Sequence, residues 1–358
     1  MVRRGLVGLK TVGRRADAQT RRELSPVYVE LHCHSGFSLL DGASNPEALI
    51  ARAAALGMKA IALTDHDDLG GAVRWAEAGR EHGVAALIGL EATVGASHLT
   101  LLAMNEEGYR NLSQLVTAAR SGERGAPTVS WDRIERHAAG LFCLTGCPDG
   151  EIPQLLAKDD EAAAHTHLGW LAEVFGGRVA VECWDHALAE ERAVVPKLIA
   201  LAGSLDLPWV ITNDVHYATP KGRLVHDVLT CLRHQTTLDL AGTLLRPNSE
   251  WYLKHPDRIA HHWRHYPEAL AATREIAERC AFRMGQLTPV LPAFPLPPGV
   301  TADAYLASLV AAGARERYRD RLTERHKQQI RHELDVIRRL RLAGYFLIVW
   351  DIVREASR

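Results

Sequence analysis

The sequence lacks the features that would place the protein in a membrane or an oxidising compartment. No run of about 18 apolar residues occurs, so neither a membrane span nor a secretory signal is predicted. The six cysteines, at positions 33, 143, 147, 183, 231 and 280, form no Cys-x-x-Cys pair. This spacing predicts reduced thiols and argues against a structural zinc finger. We therefore expect a cytoplasmic protein with no membrane partner.

Three common catalytic motifs are also missing. The sequence has no Gly-x-x-x-x-Gly-Lys-Ser/Thr loop, no Gly-x-Ser-x-Gly elbow, and no Gly-x-Gly-x-x-Gly after a predicted strand. P-loop nucleotide hydrolysis and serine esterase activity are therefore not expected. A net charge of -1 argues against wholesale wrapping of nucleic acid, although local patches can still bind it.

Positive charge is concentrated at the N-terminus. Residues 1–22 carry seven Arg or Lys and one acid, Asp17. A disordered basic arm over residues 1–26, or a misplaced start codon, is favoured over an arm that binds nucleic acid.

Short apolar runs alternate with Ala-rich helical stretches after this arm, which is typical of repeated βα units. Helical crossovers between seven strands predict a barrel-like α/β domain over residues 27–285, with its active site at the carboxyl ends of the strands. The predicted strands are Val27–His32, Ala60–Thr64, Ala85–Leu90, His98–Met104, Leu141–Thr145, Val179–Glu182 and Trp209–Thr212.

The pattern becomes helical from Thr219 onward. A Pro-rich linker is predicted over residues 286–300, followed by helices at Ala302–Arg319 and Glu324–Leu342. The apolar stretch Gly344–Val353 needs a partner surface, so we expect the chain to end inside a larger protein.

Residues with metal-binding side chains lie near the ends of the predicted strands. Convergence of many such ligands from separate elements is what phosphoester hydrolysis by clustered divalent metals requires. Taken singly they are weak signals, since Asp41 also fits a turn and Cys147 an inert buried thiol. Their joint occurrence predicts a metal site. The nine candidates are His32, His34, Asp41, His66, Glu91, His98, Cys147, Asp214 and His216.

Glu91 is predicted to be a bridging ligand. It follows an apolar run, where a buried carboxylate is costly unless a cation accompanies it. Only six residues separate it from His98, too few for a helical crossover, so the two strands should form an antiparallel hairpin with His98 beside Glu91. Asp65 is expected to orient a ligand imidazole through a hydrogen bond. Asp65, Asp214 and His216 are the predicted catalytic residues.

Several segments resemble the PHP (polymerase and histidinol phosphatase) domain, and more narrowly the one that opens bacterial C-family DNA polymerase α subunits. The resemblance extends from about Tyr28 to the end of the chain. Val225–Arg233 and Leu245–Asn248 are most similar to the error-prone branch, the polymerase of the damage-induced mutasome. The segments that carry the family resemblance are Glu30–Gly42, Leu63–Asp67, Gly89–Glu91, His98–Ala103, Gly146–Cys147, Thr212–Tyr217, Glu107–Leu112, Tyr252–Pro256 and Gly344–Asp351.

The resemblance implies a distorted (βα)7 barrel with three divalent metals, followed by a helical extension and, over residues 301–358, the start of the polymerase palm. Zn, Mn and Fe all suit such ligands. The implied reaction is release of nucleotides from a 3′ DNA end, without polymerisation by this chain alone. The implied ligand sets are His32, His34, Glu91 and Asp214 for one metal; Glu91, His98 and Cys147 for the second; and Asp41, His66 and His216 for the third.

Three functions remain open from the sequence. They are a 3′-5′ exonuclease, a non-catalytic scaffold stabilised by metal, and a standalone phosphatase of the histidinol phosphate kind. The expected partners are a DNA 3′ end, the remaining polymerase domains and, through the full-length protein, mutasome accessory proteins and the sliding clamp.

Overall fold

The computed structural model describes residues 28–286 and 292–357. They form two compact units, which divide between Leu287 and Thr288. The predicted basic arm, residue 27 and part of the predicted linker lie outside the described residues.

The first unit is built on a six-stranded mixed sheet whose strands follow their order in the chain. β2 and β3 form an antiparallel hairpin, β3 and β4 are also antiparallel, and the other neighbouring pairs are parallel. The predicted α/β class with a helical extension is thus confirmed. The strands are β1 Ala60–Leu63, β2 Ala85–Val94, β3 Ser97–Ala103, β4 Leu141–Leu144, β5 Val179–Cys183 and β6 Trp209–Ile211.

The first of the seven predicted strands does not form a ladder. In the described residues of this segment and just after it, single parallel bridges run from Glu30 to Ile61 of β1 and from Cys33 to Val215 beyond β6. The side chain of Glu30 takes part as well, because it accepts hydrogen bonds from the backbone N–H groups of His32 and Asn213. These bonds replace part of the regular strand pairing, yet the segment still lies between the two edges of the sheet.

Alternating residues of the strands point to opposite faces of the sheet and build two cores. The smaller core contains Leu31, Leu87, Phe142 and Val210, and it is covered by Ile276 of the helix Pro267–Arg279. The larger core lies between the other face of the sheet and the surrounding helices. Burial on both faces accounts for the nearly continuous apolar runs in the sequence.

Helices cover the sheet and extend beyond it. No helix in the described part of the chain is both long and apolar enough to cross a membrane. The helices of the first unit are α1 Pro46–Ala55, α2 Ala72–His82, α3 Glu106–Arg120, α4 Trp131–Arg136, α5 Glu151–Ala157, α6 Glu161–Val174, α7 Ala189–Ser204, α8 Arg223–Arg233, α9 Leu238–Ala241, α10 Pro256–His262 and α11 Pro267–Arg279.

The second unit contains the helices α12 Ala302–Tyr318, α13 Glu324–Arg339 and α14 Ala343–Ala356. Leu306 and Leu347 are buried between them. Residues 292–301, the described part of the chain just before α12, have neither helix nor strand, and Phe294 and Leu296 pack against this small core. This part of the predicted linker is therefore packed against the second unit.

Candidate metal centre

Two histidines and an aspartate meet where the bridged segment passes the end of β6. The Nε2 atoms of His32 and His34 lie 3.1 Å apart. Asp214 Oδ1 is 3.3 Å from Nε2 of His34 and 3.7 Å from Nε2 of His32. The backbone of Asp214 is left-handed, with φ of 42°, a conformation that costs energy for a residue with a side chain. The strained turn thus directs this carboxylate toward the two imidazoles.

Glu91 lies at the centre of four imidazoles. Its Oε1 is 3.3 Å from His32 Nε2 and 3.3 Å from His98 Nδ1, and its Oε2 is 3.2 Å from His66 Nδ1 and 3.7 Å from His34 Nε2. Burial acts to raise the pKa of Glu91, but the imidazoles, led by His98, outweigh it and hold the pKa well below its usual range. The carboxylate is therefore ionised in a buried position, as the sequence predicted.

The predicted hairpin is confirmed, although β2 extends past Glu91 and turns only at Gly95. His98 pairs with Thr93 in this ladder. Burial acts to lower the pKa of His98, but Glu91 raises it to about 9. Cys147 Sγ lies 3.5 Å from His98 Nδ1. Burial, reinforced by Glu91, raises the pKa of this thiol, so a thiolate here needs a cation.

The third group contains a residue that the sequence analysis missed. Asp41 Oδ2 is 3.3 Å from Nδ1 of His216, and Asp41 Oδ1 is 3.6 Å from Nε2 of His226. His226 lies on α8, outside the βα pattern, so no strand end marked it. His66 was expected beside Asp41 and His216, but it lies beside Glu91, as described above.

Asp65 contacts no ligand imidazole directly, contrary to expectation. Its carboxylate accepts hydrogen bonds from the backbone and hydroxyl of Ser35 and from the hydroxyl of Ser38. Ser38 Oγ in turn lies 3.0 Å from His34 Nδ1 and accepts the backbone N–H of His66 at 3.0 Å. Asp65 therefore positions His34 through one intervening hydroxyl, because the tight turn after His34 places Ser38 between them.

Glu182 is a second residue that the sequence analysis missed. This fully buried residue of β5 places Oε1 2.7 Å from Nδ1 of His32 and accepts the hydroxyl of Thr212 at 2.6 Å. A carboxylate on the far nitrogen of a metal-binding imidazole fixes its ring and tautomer. The ring of His32 is thus oriented with Nε2 toward Glu91.

The donor set fits divalent metal ions. Glu91 Oε1 and His216 Nδ1 are buried without a hydrogen-bond partner in the described residues, a costly state that a cation would relieve. Imidazole, carboxylate and thiolate together are suitable ligands for Zn and related ions. All nine predicted residues belong to groups whose ligand atoms lie within 4.8 Å of one another. The groups are His32, His34 and Glu91; His34, Asp214 and His216; Asp41, His216 and His226; His66, Glu91 and His98; and His98, Cys147 and Asp149.

Comparison with known families identifies the domain around this cluster. Residues 30–186 match the PHP domain, and residues 304–358 match the bacterial DNA polymerase III alpha NTPase domain. The chain therefore contains a PHP domain and, after it, a segment of the bacterial DNA polymerase III alpha NTPase domain. A solved two-domain protein from Bacteroides vulgatus, containing a predicted PHP-like metal-dependent phosphoesterase, shares 16% identity at a TM-score of 0.35, covering 53% of this chain and 52% of that protein.

Several curated relatives of the chain are bacterial DNA polymerases. The chain is 40% identical to an error-prone DNA polymerase of Symbiobacterium thermophilum, over 92% of this chain and 32% of that protein. It is 42% identical to one of Mycobacterium tuberculosis, with the same two coverages. It is 38% identical to a DNA polymerase III subunit alpha of Treponema pallidum, over 92% of this chain and 30% of that subunit. The chain thus spans about a third of the length of these relatives, in their N-terminal part.

Proposed function

We propose that the cluster around Glu91 holds divalent metal ions, three in number, and hydrolyses phosphodiesters at a 3′ DNA end. The observation that carries this proposal is the buried, ionised carboxylate of Glu91 among four imidazoles, with one oxygen free of hydrogen bonds. Zn, Mn or Fe bound there would activate water and neutralise charge on the phosphoryl oxygens. Glu91 and Asp214 would hold the ions, while Glu182 fixes one ligand ring.

The test is a primer-shortening assay with purified protein and Zn, Mn or Fe. A single-stranded or 3′-mismatched oligonucleotide should lose nucleotides from its 3′ end. Asp214→Asn should abolish cleavage because it removes a carboxylate that faces both His32 and His34. The matched control is Asp132→Asn, which alters only a surface pair with Arg136 and should cleave normally. Absence of cleavage with all three metals would overturn the proposal.

A second candidate is a metal-stabilised scaffold without catalysis. It is favoured by the complete burial of His32 and His34, because ions bound to enclosed ligands stabilise the fold whether or not substrate enters. In that case chelation should lower the melting temperature while no metal restores nuclease activity. Melting that is unaffected by chelation would exclude it.

We also propose that the chain acts as the N-terminal part of an error-prone DNA polymerase in damage-induced translesion synthesis. The similarity to polymerases with that name supports this role. DNA, the remaining polymerase domains, the sliding clamp and mutasome accessory proteins are the proposed partners. Primer extension past a template lesion by a polymerase that contains this chain would test it. Turnover of histidinol phosphate by the present chain would instead favour a standalone phosphatase.

A further inference from the structure

The guanidinium of Arg246 lies at one edge of the candidate metal-binding cluster. Arg246 donates from Nη2 to Nε2 of His216 at 2.7 Å and from Nε to Nε2 of His226 at 3.3 Å. Both acceptors belong to the third ligand group. These two hydrogen bonds hold the positive charge of Arg246 next to the third ligand group.

The position of this guanidinium is set from two other sides. It stacks on the ring of Trp251, with Cζ 4.3 Å from the ring centroid, and Trp251 stacks in turn on the buried ring of His186 at 4.2 Å. The backbone carbonyl of Arg246 accepts a hydrogen bond from Nη2 of Arg223 at 2.8 Å. Arg246 is partly exposed, so this ordered group is accessible from solvent.

A second arginine lies on the same edge. Arg233, at the end of α8, places Nη1 3.3 Å from Oδ1 of Asp41 and has 44% of its side chain exposed. Asp41 therefore lies between Arg233 and the imidazoles that Arg246 contacts. The carboxylates of Glu91 and Glu182 lie on the other part of the cluster, around His32. The two arginines therefore lie on the side of His216, together with Asp41 and with Asp214, whose Oδ1 is 3.1 Å from Nε2 of His216.

A structural role alone explains this arrangement poorly. The Arg246 contacts described above are to imidazole nitrogens, and no carboxylate pairs with its guanidinium among the described residues. Metal ions bound nearby would repel it. An anion between the guanidinium and the ions would remove that repulsion, and the planar donor fork of arginine matches two phosphate oxygens. The two described bonds use Nε–H and one N–H of Nη2, so Nη1 and the second N–H of Nη2 remain as a two-donor fork for such an anion.

We infer that Arg246, assisted by Arg233 across Asp41, binds the non-bridging oxygens of a substrate phosphate at the metal cluster. This inference rests on the proposed function, since it names how that site recognises a phosphodiester. It assigns Arg246 to substrate binding and leaves metal binding to the His, acidic and thiol groups.

The test measures binding of inorganic phosphate to the whole chain by calorimetry after loading with Zn or Mn. Metal content is determined for every variant. Arg246→Gln should weaken phosphate binding by at least about tenfold while metal content stays unchanged, and Arg246→Lys should lie between, because it keeps the charge without the fork. Arg258 provides a matched control, since it also stacks on an aromatic ring, that of Tyr252, but pairs with Glu250. Arg258→Gln should bind phosphate as the unaltered chain does.

Two results would overturn the inference: unchanged phosphate affinity in Arg246→Gln, or no phosphate binding by the metal-loaded chain. Loss of metal from Arg246→Gln and Arg246→Lys alike would also overturn it, since Arg246 would then serve the ligands. The proposed nuclease activity is tested separately from phosphate binding. Phosphate binding that depends on Arg246 in a chain that cleaves no DNA would uphold the inference and refute the exonuclease.

Discussion

Glu182 Oε1 lies 2.7 Å from Nδ1 of His32, and neither side chain is exposed to solvent. His32 therefore presents Nε2, and not Nδ1, to Glu91 and Asp214. Through this contact a residue of β5, a strand that supplies none of the candidate ligands, supports the candidate metal centre. The orientation of the ligand ring consequently depends on the pairing of β5 with the rest of the sheet.

Glu182→Gln should weaken metal binding by about 10–100-fold, because the amide no longer fixes the tautomer of His32. Metal titration followed by calorimetry measures the change. Glu191→Gln is the control, since Glu191 forms another buried pair, with His186 at 2.6 Å. That control should lose stability but retain its metal affinity. Equal metal affinity in both variants would contradict the role assigned to Glu182.

The placement of His66 beside Glu91 and His98 predicts which substitutions act on the same ion. His66→Ala and His98→Ala should each reduce the metal content by the same ion, and the double variant should lose no more than either single variant. Non-additivity of this kind is expected for residues that share one partner. Metal content by mass spectrometry measures it. The grouping with Asp41 and His216 implied by the resemblance predicts instead that the two losses add.

Gly42 is predicted to be intolerant of any side chain. A Cβ there would lie 1.8 Å from the carbonyl oxygen of Ser35, so Gly42→Ala must displace the turn that carries Ser38 and Asp41. We expect the free energy of unfolding to fall by about 1–3 kcal/mol. Gly36→Ala in the same turn is the control, because its Cβ would meet no atom closer than 3.7 Å. Urea unfolding of both variants decides the matter, and equal losses would refute the steric argument.

Ser38→Ala removes only one hydroxyl group but should lower the free energy of unfolding substantially. It removes a hydrogen-bond donor to the buried carboxylate of Asp65 and an acceptor for the backbone N–H of His66, so about 1–3 kcal/mol should be lost from the free energy of unfolding. The comparison is Ser113→Ala on α3, whose hydroxyl donates only to the backbone carbonyl of Tyr109. A loss for Ser38→Ala no greater than for Ser113→Ala, measured by urea unfolding, would show that Asp65 finds another donor.

Strand-end placement predicted most of the side chains that the structure brings together in the candidate metal centre. Asp214 and His216 follow an apolar run, and Glu91 and His98 flank a connection too short for a helix, so the pleat and the hairpin bring them together. Glu182 was missed although it lies in the apolar run Val179–Cys183. The burial argument applied to Glu91 could have identified it as well.

Other parts of the site depend on tertiary structure alone. His226 and Arg246 come from the helical region after residue 219, and only the packing of α8 and the stack on Trp251 bring them to Asp41 and His216. No local periodicity encodes that approach. The sequence also could not predict which ligands lie beside His66. Its position depends on the bridge between His66 and Glu91 and not on the order of the strands.

The bridged segment around Cys33 has a consequence for how the centre assembles. It joins the two margins of the sheet, and its contact between Glu30 and Asn213 links positions 183 residues apart in sequence. His32 and His34 belong to the bridged segment, whereas Asp214 and His216 follow β6. Contacts of such long range form late in folding. An ion bound by ligands from both groups would hold them together, and its uptake during refolding would report when the two margins of the sheet come together.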